Sequence, residues 1–338
     1  MMSVQYLDAW KHTLTLSKLE PGELVCILVS EASHPMTVDA ASLSASMLGA
    51  TVFKMELGES TAKMAGESTA YQGPTALSRN RAAVEALKAS DLVIDLMGMD
   101  RGSEQAEILA AGTRVLLVKE PPDVLMRLLP KPEDRENVRK AANHLSSAKE
   151  MRVTSKTGTD LIVRLGEYPL LVQYGYADEP GRWDHWPSAF VAAWPNEKSA
   201  TGRVVLSPGD SILPFKSYVR SPIALEISDG YIRNISGELD ARYLRDYMDS
   251  FQDPEGYAVS HLGWGLHPRA HWTALGMYDK RQTNAMDARS FSGNFMFSTG
   301  PNSEAGGNRH TPCHLDIPML DCSVYLDGKA VVVDGRLV

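Results

Sequence analysis

Residues 24–29 read LVCILV, and this short apolar run decides the fold of the first half of the chain. A run without polar alternation is typical of a strand buried on both faces of a parallel sheet. Helix-like and strand-like segments then alternate, and this rhythm predicts an α/β domain whose parallel sheet is covered by helices on both sides. The predicted helices cover residues 35–48, 76–88, 103–111, 122–129 and 133–149, and the predicted strands cover residues 51–57, 91–97 and 113–118.

The second half of the chain has a different pattern, with short strand-like segments and turn signals in place of most helices. Residues 223–237 read IALEISDGYIRNISG and predict a hairpin that turns at the Asp-Gly pair. One clear helix is predicted at residues 239–251. We therefore predict two domains: an α/β domain over residues 1–150 and a β-rich α+β domain over residues 151–338.

Composition limits the classes of function. The 338 residues carry a net charge of −8 without a basic stripe, which argues against nucleic-acid binding and favours a small substrate. Three cysteines without a CxxC pair indicate neither a disulfide framework nor a zinc ribbon. No apolar run approaches the roughly 18 residues that a membrane helix needs, and no GxGxxG follows the first strand. These features predict a cytoplasmic protein that binds neither nucleic acid nor a membrane.

The stretch TPCHLDIP, residues 311–318, places His314 and Asp316 two positions apart in a predicted strand. Alternate residues of a strand point to the same face, so the imidazole and the carboxylate project side by side. They form either a buried hydrogen-bonded pair or part of a metal site. Two histidines and one carboxylate with open coordination positions are diagnostic of Fe(II) oxygen chemistry, but spacing alone leaves iron and zinc as alternatives.

Three loops of the second half are rich in glycine and aromatic residues, the first two also in Trp and His, and such loops are typical of a built site. An alternative is a tightly packed loop, or an interface between subunits, which also uses Trp and Arg. The three loops read YGYADEPGRWDHWPS at residues 174–188, SHLGWGLHPRAHW at residues 260–272 and SGNFMFSTGPNSEAGGN at residues 292–308.

Long motifs of this sequence closely resemble those of the 2,5-dihydroxypyridine 5,6-dioxygenases, ring-opening enzymes of bacterial nicotinate and nicotine breakdown. The resemblance runs along nearly the whole chain and is densest from about residue 165 onward. The motifs that carry it include EYPLLVQYGYADEPGRWDHWPSAF (167–190), ARYLRDYM (241–248), SHLGWGLHPRAHWTALGMYD (260–279), FSTGPNSEAGGNRHTPCHLDIP (297–318) and VYLDGKAVV (324–332).

The resemblance implies one non-haem Fe(II), held by His261 of the SHxGWG motif and by His314 and Asp316 of the CHLD motif. It implies a fold similar to that of the thermophilic-type metal-dependent leucyl aminopeptidases. It also implies cleavage of 2,5-dihydroxypyridine by O2 between C5 and C6, with both oxygen atoms entering the product, N-formylmaleamic acid.

Other site residues follow from placing this chemistry on the aromatic loops. We expect His185 to accept or relay a proton from a ring hydroxyl, with Glu179 and Arg182 to orient it. Ser298 and Thr299 offer hydroxyls that can bind polar groups on the ring. An apolar wall would exclude water from the reacting centre. The residues expected to form this wall are Trp183, Trp186, Trp264 and Phe297.

One position departs from the family pattern. Family members carry a histidine, an acid–base residue, in the loop after the third strand, and the matching stretch DLMGMDRGSEQ has Arg101 there. Arginine stays protonated near neutral pH and is a poor base, but its planar fork binds carboxylates well. We therefore hypothesise a hydroxypyridine substrate with a carboxylate or another anionic group. The neighbouring Asp100 either contributes to the site or caps the next helix.

Two other functions compete with ring cleavage. A two-metal aminopeptidase would need additional Glu and His ligands, and Asn294 stands where one of them is expected, which favours a single metal. A non-enzymatic protein that binds an aromatic ligand would keep the pocket but would not need an open metal site. The exposed Trp and Arg loops and the resemblance favour a homo-oligomer.

Overall fold

The computed structural model describes residues 2–58, 76–78, 80–99 and 102–338. The α-helices are Val4–Leu16 (α1), Pro35–Met47 (α2), Arg81–Lys88 (α3), Ser103–Ala110 (α4), Pro122–Arg127 (α5), Pro132–Ser147 (α6), Leu239–Asp249 (α7) and Met286–Ser290 (α8). Short 3₁₀ helices cover Pro254–Tyr257, Trp272–Gly276 and Ser303–Ala305.

The described residues form β-strands along the whole chain. The first ten are Leu24–Val29 (β1), Thr51–Glu56 (β2), Leu92–Asp95 (β3), Arg114–Val118 (β4), Glu150–Ser155 (β5), Asp160–Arg164 (β6), Leu170–Gln173 (β7), Trp183–Trp186 (β8), Phe190–Ala193 (β9) and Thr201–Leu206 (β10). The others are Ser211–Ile212 (β11), Ser217–Tyr218 (β12), Ile223–Ser228 (β13), Tyr231–Gly237 (β14), Val259–Gly265 (β15), Phe295–Thr299 (β16), Leu315–Met319 (β17), Cys322–Leu326 (β18), Lys329–Val333 (β19) and Arg336–Leu337 (β20).

The first sheet is parallel throughout and has the strand order β2-β1-β3-β4-β8. Its first four strands agree with the prediction from the sequence. The fifth, β8, comes from beyond residue 150 and pairs with β4 from Val115 opposite Trp183 to Val118 opposite Trp186. The second half of the chain therefore completes the sheet of the first half, and the boundary near residue 150 stays a prediction.

Helices cover both faces of this sheet, and β1 shows why its sequence is apolar throughout. Val25, Ile27 and Val29 pack on one side with residues of α1 and α2. Cys26 and Leu28 pack on the other side with residues of α3 and α4. Because alternate side chains point to opposite faces, a strand covered on both sides needs an apolar residue at every position.

Two element ends differ from the predictions. The helix predicted from residue 76 begins at Arg81, because the side chain of Asn80 caps it by accepting a hydrogen bond from Ala83 N at 3.2 Å. The strand predicted to reach residue 97 ends at Asp95. The carboxylate of Asp95 accepts hydrogen bonds from the backbone N–H groups of the next turn, including Met99 N at 2.6 Å, which ends the pairing.

Antiparallel sheets dominate the second half, as predicted. An eight-stranded sheet has the order β14-β13-β10-β6-β5-β18-β19-β20, and a five-stranded sheet has the order β17-β16-β15-β9-β7. The two sheets share one large apolar core. The predicted hairpin is confirmed: β13 and β14 turn at Asp229 and Gly230, which both have positive φ (52° and 79°), as a two-residue type I′ turn requires.

None of the described helices is long and apolar enough to cross a membrane. The face of the five-stranded sheet that points away from the large core carries several buried polar residues. Leu315, Ile317 and Phe297 point into the core, so the residues that alternate with them, Ser298 and Asp316, point to the opposite face.

Candidate metal and substrate site

Two imidazoles and one carboxylate converge on this outer face of the five-stranded sheet. His261 lies in β15, Asp316 in β17 and His314 immediately before β17. One ligand atom of each lies within 4.8 Å of the others, and all three side chains are buried. Asp316 Oδ1 is 3.2 Å from His261 Nε2 and 3.3 Å from His314 Nε2. The structure thus brings together the three residues predicted from sequence as metal ligands.

Strand pairing explains this convergence. Asp316 lies opposite Ser298 in the antiparallel pair of β17 and β16, and the register of β16 with β15 shifts between Val259 and Leu262. His261 lies within this irregular stretch, as expected of a bulge, which redirects a side chain. At Gly263 a Cβ would collide with the carbonyl oxygen of Val191 in β9. The glycine of the SHLGWG motif therefore permits the close strand pairing that carries His261.

Hydrogen bonds fix the orientation of the three side chains. His314 Nδ1 lies 2.8 Å from the carbonyl oxygen of Thr299, so Nδ1 carries a proton and the neutral ring would present its Nε2 lone pair to a metal. The Ser298 hydroxyl donates to Asp316 Oδ1 at 2.7 Å and lies 3.0 Å from His261 Nε2. On the other carboxylate oxygen, Arg289 Nε donates to Asp316 Oδ2 at 3.0 Å.

The electrostatics of the cluster favour a charged carboxylate. Burial works to raise the pKa of Asp316, but the charges of His314 and Arg289 and the hydrogen bonds that Asp316 accepts from both histidines hold this pKa well below its usual value. Burial works to lower the pKa of His314, and Asp316 outweighs it and raises that pKa. Two imidazole nitrogens beside an ionised carboxylate oxygen are a donor set that fits a divalent transition metal.

A cleft opens over the three residues and encloses about 460 Å³ of space between the lining atoms, part of it open to solvent. Trp183 and His185 of β8 line it, as the sequence predicted for a substrate pocket. Polar and apolar side chains from several elements complete the wall. The lining residues are Leu171, Gln173, Trp183, His185, Phe190, His261, Met286, Arg289, Met296, Glu304, His314 and Asp316.

Three of the four aromatic residues expected in the pocket wall lie elsewhere. Trp186 is buried under the parallel sheet, where its ring meets Trp10 edge-on at 5.0 Å. Trp264 and Phe297 are buried in the large core of the second half. These expectations were wrong because strand alternation turns each of these side chains to the face opposite the cleft.

Glu179 and Arg182 do not line the cleft in this structure. Glu179 pairs with Arg135 and with Arg139 at the surface. Arg182 donates from Nε to Asp184 Oδ2 at 3.0 Å and lies over the ring of Tyr174 at 3.7 Å. Asp184 is buried in β8, so Arg182 holds the strand that carries Trp183 and His185.

Ser298 and Thr299, both predicted to bind polar groups on the ring, have different surroundings. Ser298 is hydrogen-bonded within the cluster. The hydroxyl of Thr299 is buried and has no hydrogen-bond partner among the described residues, and the carbonyl oxygen of Thr299 accepts from His314. Arg101 and Asp100 lie outside the described residues.

Asn294 stands where a second metal would need a ligand. Its side-chain amide is engaged in hydrogen bonds to the backbone. Its Nδ2 donates to the carbonyl oxygens of Ala288 at 3.1 Å and Arg289 at 2.9 Å, and its Oδ1 accepts from Gly265 N. Among the described residues, His261, His314 and Asp316 form the one group of at least three His, Cys, Asp or Glu side chains with metal-binding spacing.

Sequence reasoning missed Arg289, Gln173 and Glu304. Gln173 follows Leu171 by two positions in β7, so the alternation of that strand could have suggested a shared face. Arg289 lies in the short helix α8 and reaches the cluster only through tertiary packing, and the sequence gives no signal for that contact.

Comparisons with known proteins agree with this geometry. A sequence model of the family described as NicX, 2,5-dihydroxypyridine 5,6-dioxygenase, matches residues 5–338. The chain is 52% identical over 339 residues to the 2,5-dihydroxypyridine 5,6-dioxygenase of Pseudomonas putida KT2440, covering 99% of this chain and 97% of that protein. The solved structure of 2,5-dihydroxypyridine dioxygenase from Pseudomonas putida KT2440 matches with a TM-score of 0.97 at 52% identity, covering 98% of this chain and 96% of that one.

A more distant structure shares the fold alone. Wild-type AmpT from Thermus thermophilus matches with a TM-score of 0.63 at 15% identity, over 99% of both chains. This match is consistent with the aminopeptidase-like fold that the sequence motifs implied. The family match and the close relative show that the chain belongs to the family of 2,5-dihydroxypyridine 5,6-dioxygenases.

Proposed function

We propose that this chain is a non-haem Fe(II) dioxygenase that opens the ring of 2,5-dihydroxypyridine between C5 and C6 and forms N-formylmaleamate. The observation that supports it best is the buried group of His261, His314 and Asp316 at the base of the cleft, in a chain of this family. A bound Fe(II) would supply open positions at which the substrate and O2 meet.

The residues of the cleft supply the rest of the function. His261, His314 and Asp316 would hold the metal. Trp183 offers an aromatic face on which a flat pyridine ring can stack. His185 lines the same cleft and is positioned by β8 to take a proton from a ring hydroxyl.

The remaining predicted residues act indirectly in this proposal. Arg182 orients Trp183 and His185 through Asp184 of the same strand. Ser298 and the Thr299 carbonyl orient the metal ligands. Glu179 contributes through its surface ion pairs with Arg135 and Arg139.

A carboxylated hydroxypyridine is the second candidate substrate. The substitution at Arg101 motivates it, although that position lies outside the described residues. In the lining of the cleft, Arg289 adds positive charge and Gln173 adds an amide donor. An anionic substituent would gain charge-assisted hydrogen bonds from such donors.

Oxygen uptake tests the proposal. Protein loaded anaerobically with Fe(II) is given 2,5-dihydroxypyridine or a carboxylated analogue, and product oxygen is traced with isotopically labelled O2 by mass spectrometry. We expect uptake with incorporation of both oxygen atoms, and its loss in His314→Ala. His271→Ala, at an exposed histidine outside the cleft, is the matched control.

Two results would overturn the proposal. One is the absence of uptake with both substrates in protein that has bound metal. The other is hydrolysis of aminoacyl substrates by that protein, which would indicate a peptidase. Light scattering on the same preparation tests the predicted homo-oligomer.

A further inference from the structure

The guanidinium of Arg289 is buried beside the proposed metal ligands. Its residue is 8% exposed, and it lines the cleft from α8. A charged group in such a place must be paired and hydrogen-bonded, because burial without partners costs several kcal/mol. Arg289 has two partners: Asp316 Oδ2, at 3.0 Å from Nε, and the carbonyl oxygen of Asn284, at 2.7 Å from Nη1.

The backbone of Arg289 is also fixed. Asn294 Nδ2 donates to the Arg289 carbonyl oxygen at 2.9 Å, and Asn294 Oδ1 accepts from Gly265 N at the end of β15. The strand that carries His261 therefore holds the helix that carries Arg289. The position of the guanidinium is set by the same framework that sets the ligands.

The two oxygen atoms of Asp316 have separate environments. Oδ1 lies near both imidazole nitrogens and accepts from Ser298. Oδ2 accepts a hydrogen bond from Arg289 Nε at 3.0 Å. A carboxylate can bind a metal through one oxygen or through both, so the partner of the second oxygen decides between these modes.

We propose that Arg289 is a positioning residue that reserves Oδ2 and so makes Asp316 bind the metal through Oδ1 alone. This inference rests on the proposed function for its purpose, since a substrate and O2 must both find open positions on one metal. A carboxylate bound through both oxygens would occupy one position more.

Cobalt(II) is the probe that tests this without turnover. Its visible absorption changes in intensity with coordination number, so it reports how many donors surround the metal. We compare the wild type with Arg289→Lys, which keeps the positive charge. Unlike the planar guanidinium, the lysine ammonium cannot donate to Asp316 Oδ2 and to the Asn284 carbonyl oxygen in the same geometry. We expect an altered cobalt spectrum and a roughly 10- to 100-fold change in cobalt affinity.

Arg127→Lys is the matched control. Arg127 makes the same kind of two-point contact, with Asp287 of α8 at 2.8 and 2.7 Å, but it does not line the cleft. Arg127→Lys therefore tests whether the loss of any two-point arginine contact to α8 alters the metal site. We expect the cobalt spectrum and affinity of Arg127→Lys to match those of the wild type.

A wild-type spectrum and affinity in Arg289→Lys would overturn the proposal. Equal effects of the two variants would also overturn it, because they would indicate a general disturbance of α8. A crystal structure of the cobalt-loaded wild type decides the question even where Arg289→Lys does not fold. Metal contact through Oδ1 with Arg289 on Oδ2 supports the proposal, and contact through both oxygens refutes it. Neither result depends on whether the protein opens a pyridine ring.

Discussion

The carboxylate of Glu120 accepts a hydrogen bond from the hydroxyl of Thr283 at 2.7 Å, although the two residues are 163 positions apart. Its other oxygen accepts from Met286 N at 2.8 Å, the first residue of α8. Glu120 follows the end of β4, so this buried group joins the parallel sheet to the helix that carries Arg289.

Glu120 makes the stability of the protein depend on pH. Burial raises its pKa from 4.5 to about 7, against hydrogen bonds from Met286 and Thr283 that lower it. The folded state therefore holds this proton more tightly than the unfolded state. The stabilisation is complete below pH 4.5 and is lost as pH rises to about 7, a change of roughly 3 kcal/mol for this group.

The variant Glu120→Gln should lack this part of the pH dependence, because it cannot ionise and keeps an oxygen for Met286 N. Urea unfolding across the same pH range measures it. We expect the difference in unfolding free energy, variant minus wild type, to rise with pH and then to level off near pH 7. Parallel curves for the two proteins would refute the assignment.

Strand patterns made much of the site predictable. His314 and Asp316 could be paired from sequence because a period of two is local and survives any tertiary arrangement. The apolar run of β1 likewise predicted a strand covered on both faces. The fifth strand of that sheet could not be foreseen, because WDHW at β8 has the composition of an aromatic loop and pairs with β4 across about seventy residues.

Side chains that depend on tertiary packing were not predictable. Trp183 and Trp186 both belong to the WDHW segment of β8, yet they point to opposite faces of the strand. Only Trp183 reaches the cleft. Arg289 contacts Asp316 because Asn294 fixes the end of α8, and no periodicity encodes that contact. The resemblance to the family supplied the ligand set where spacing alone left iron and zinc open.

Substrate affinity should distinguish the two tryptophans. Trp183→Leu removes the aromatic face of the cleft, and an aromatic pair contributes about 0.5–1.5 kcal/mol beyond the buried area. We expect a roughly 2- to 10-fold weaker anaerobic binding of 2,5-dihydroxypyridine, measured by fluorescence or calorimetry. The control, Trp186→Phe, should lower thermal stability through the Trp10 contact and leave binding unchanged. A binding loss in Trp186→Phe alone would reverse the assignment.

Metal binding should stabilise the folded chain through the proposed ligands His261, His314 and Asp316. At a free metal concentration of about 100 times the dissociation constant, the gain in unfolding free energy is about 2.7 kcal/mol. We expect this gain with cobalt(II) in the wild type, its removal by a chelator, and its absence in His314→Ala. Thermal unfolding monitored by circular dichroism measures it. Stabilisation that persists in His314→Ala would place the metal elsewhere.

Gln173 provides the last test, because the direction of its hydrogen bond fixes which substrate atom it can meet. Its Oε1 accepts from the Ser188 hydroxyl at 3.0 Å, and its Nε2 has no hydrogen-bond partner among the residues that the structure describes. Since Gln173 lines the cleft, Nε2 is a donor available to an acceptor oxygen of the substrate.

The variant Gln173→Glu keeps the shape and the Ser188 contact but replaces the donor with an acceptor. An acceptor oxygen of the substrate would then lose its partner and meet a negative charge, so we expect roughly 10- to 100-fold weaker anaerobic binding. Gln173→Met removes the donor and the Ser188 contact without adding a charge, so it should lose less. Binding by Gln173→Glu that equals the wild type would show that the Gln173 amide oxygen instead accepts a hydrogen bond from a substrate hydroxyl. The order of the three affinities therefore assigns the hydrogen-bond direction in the cleft.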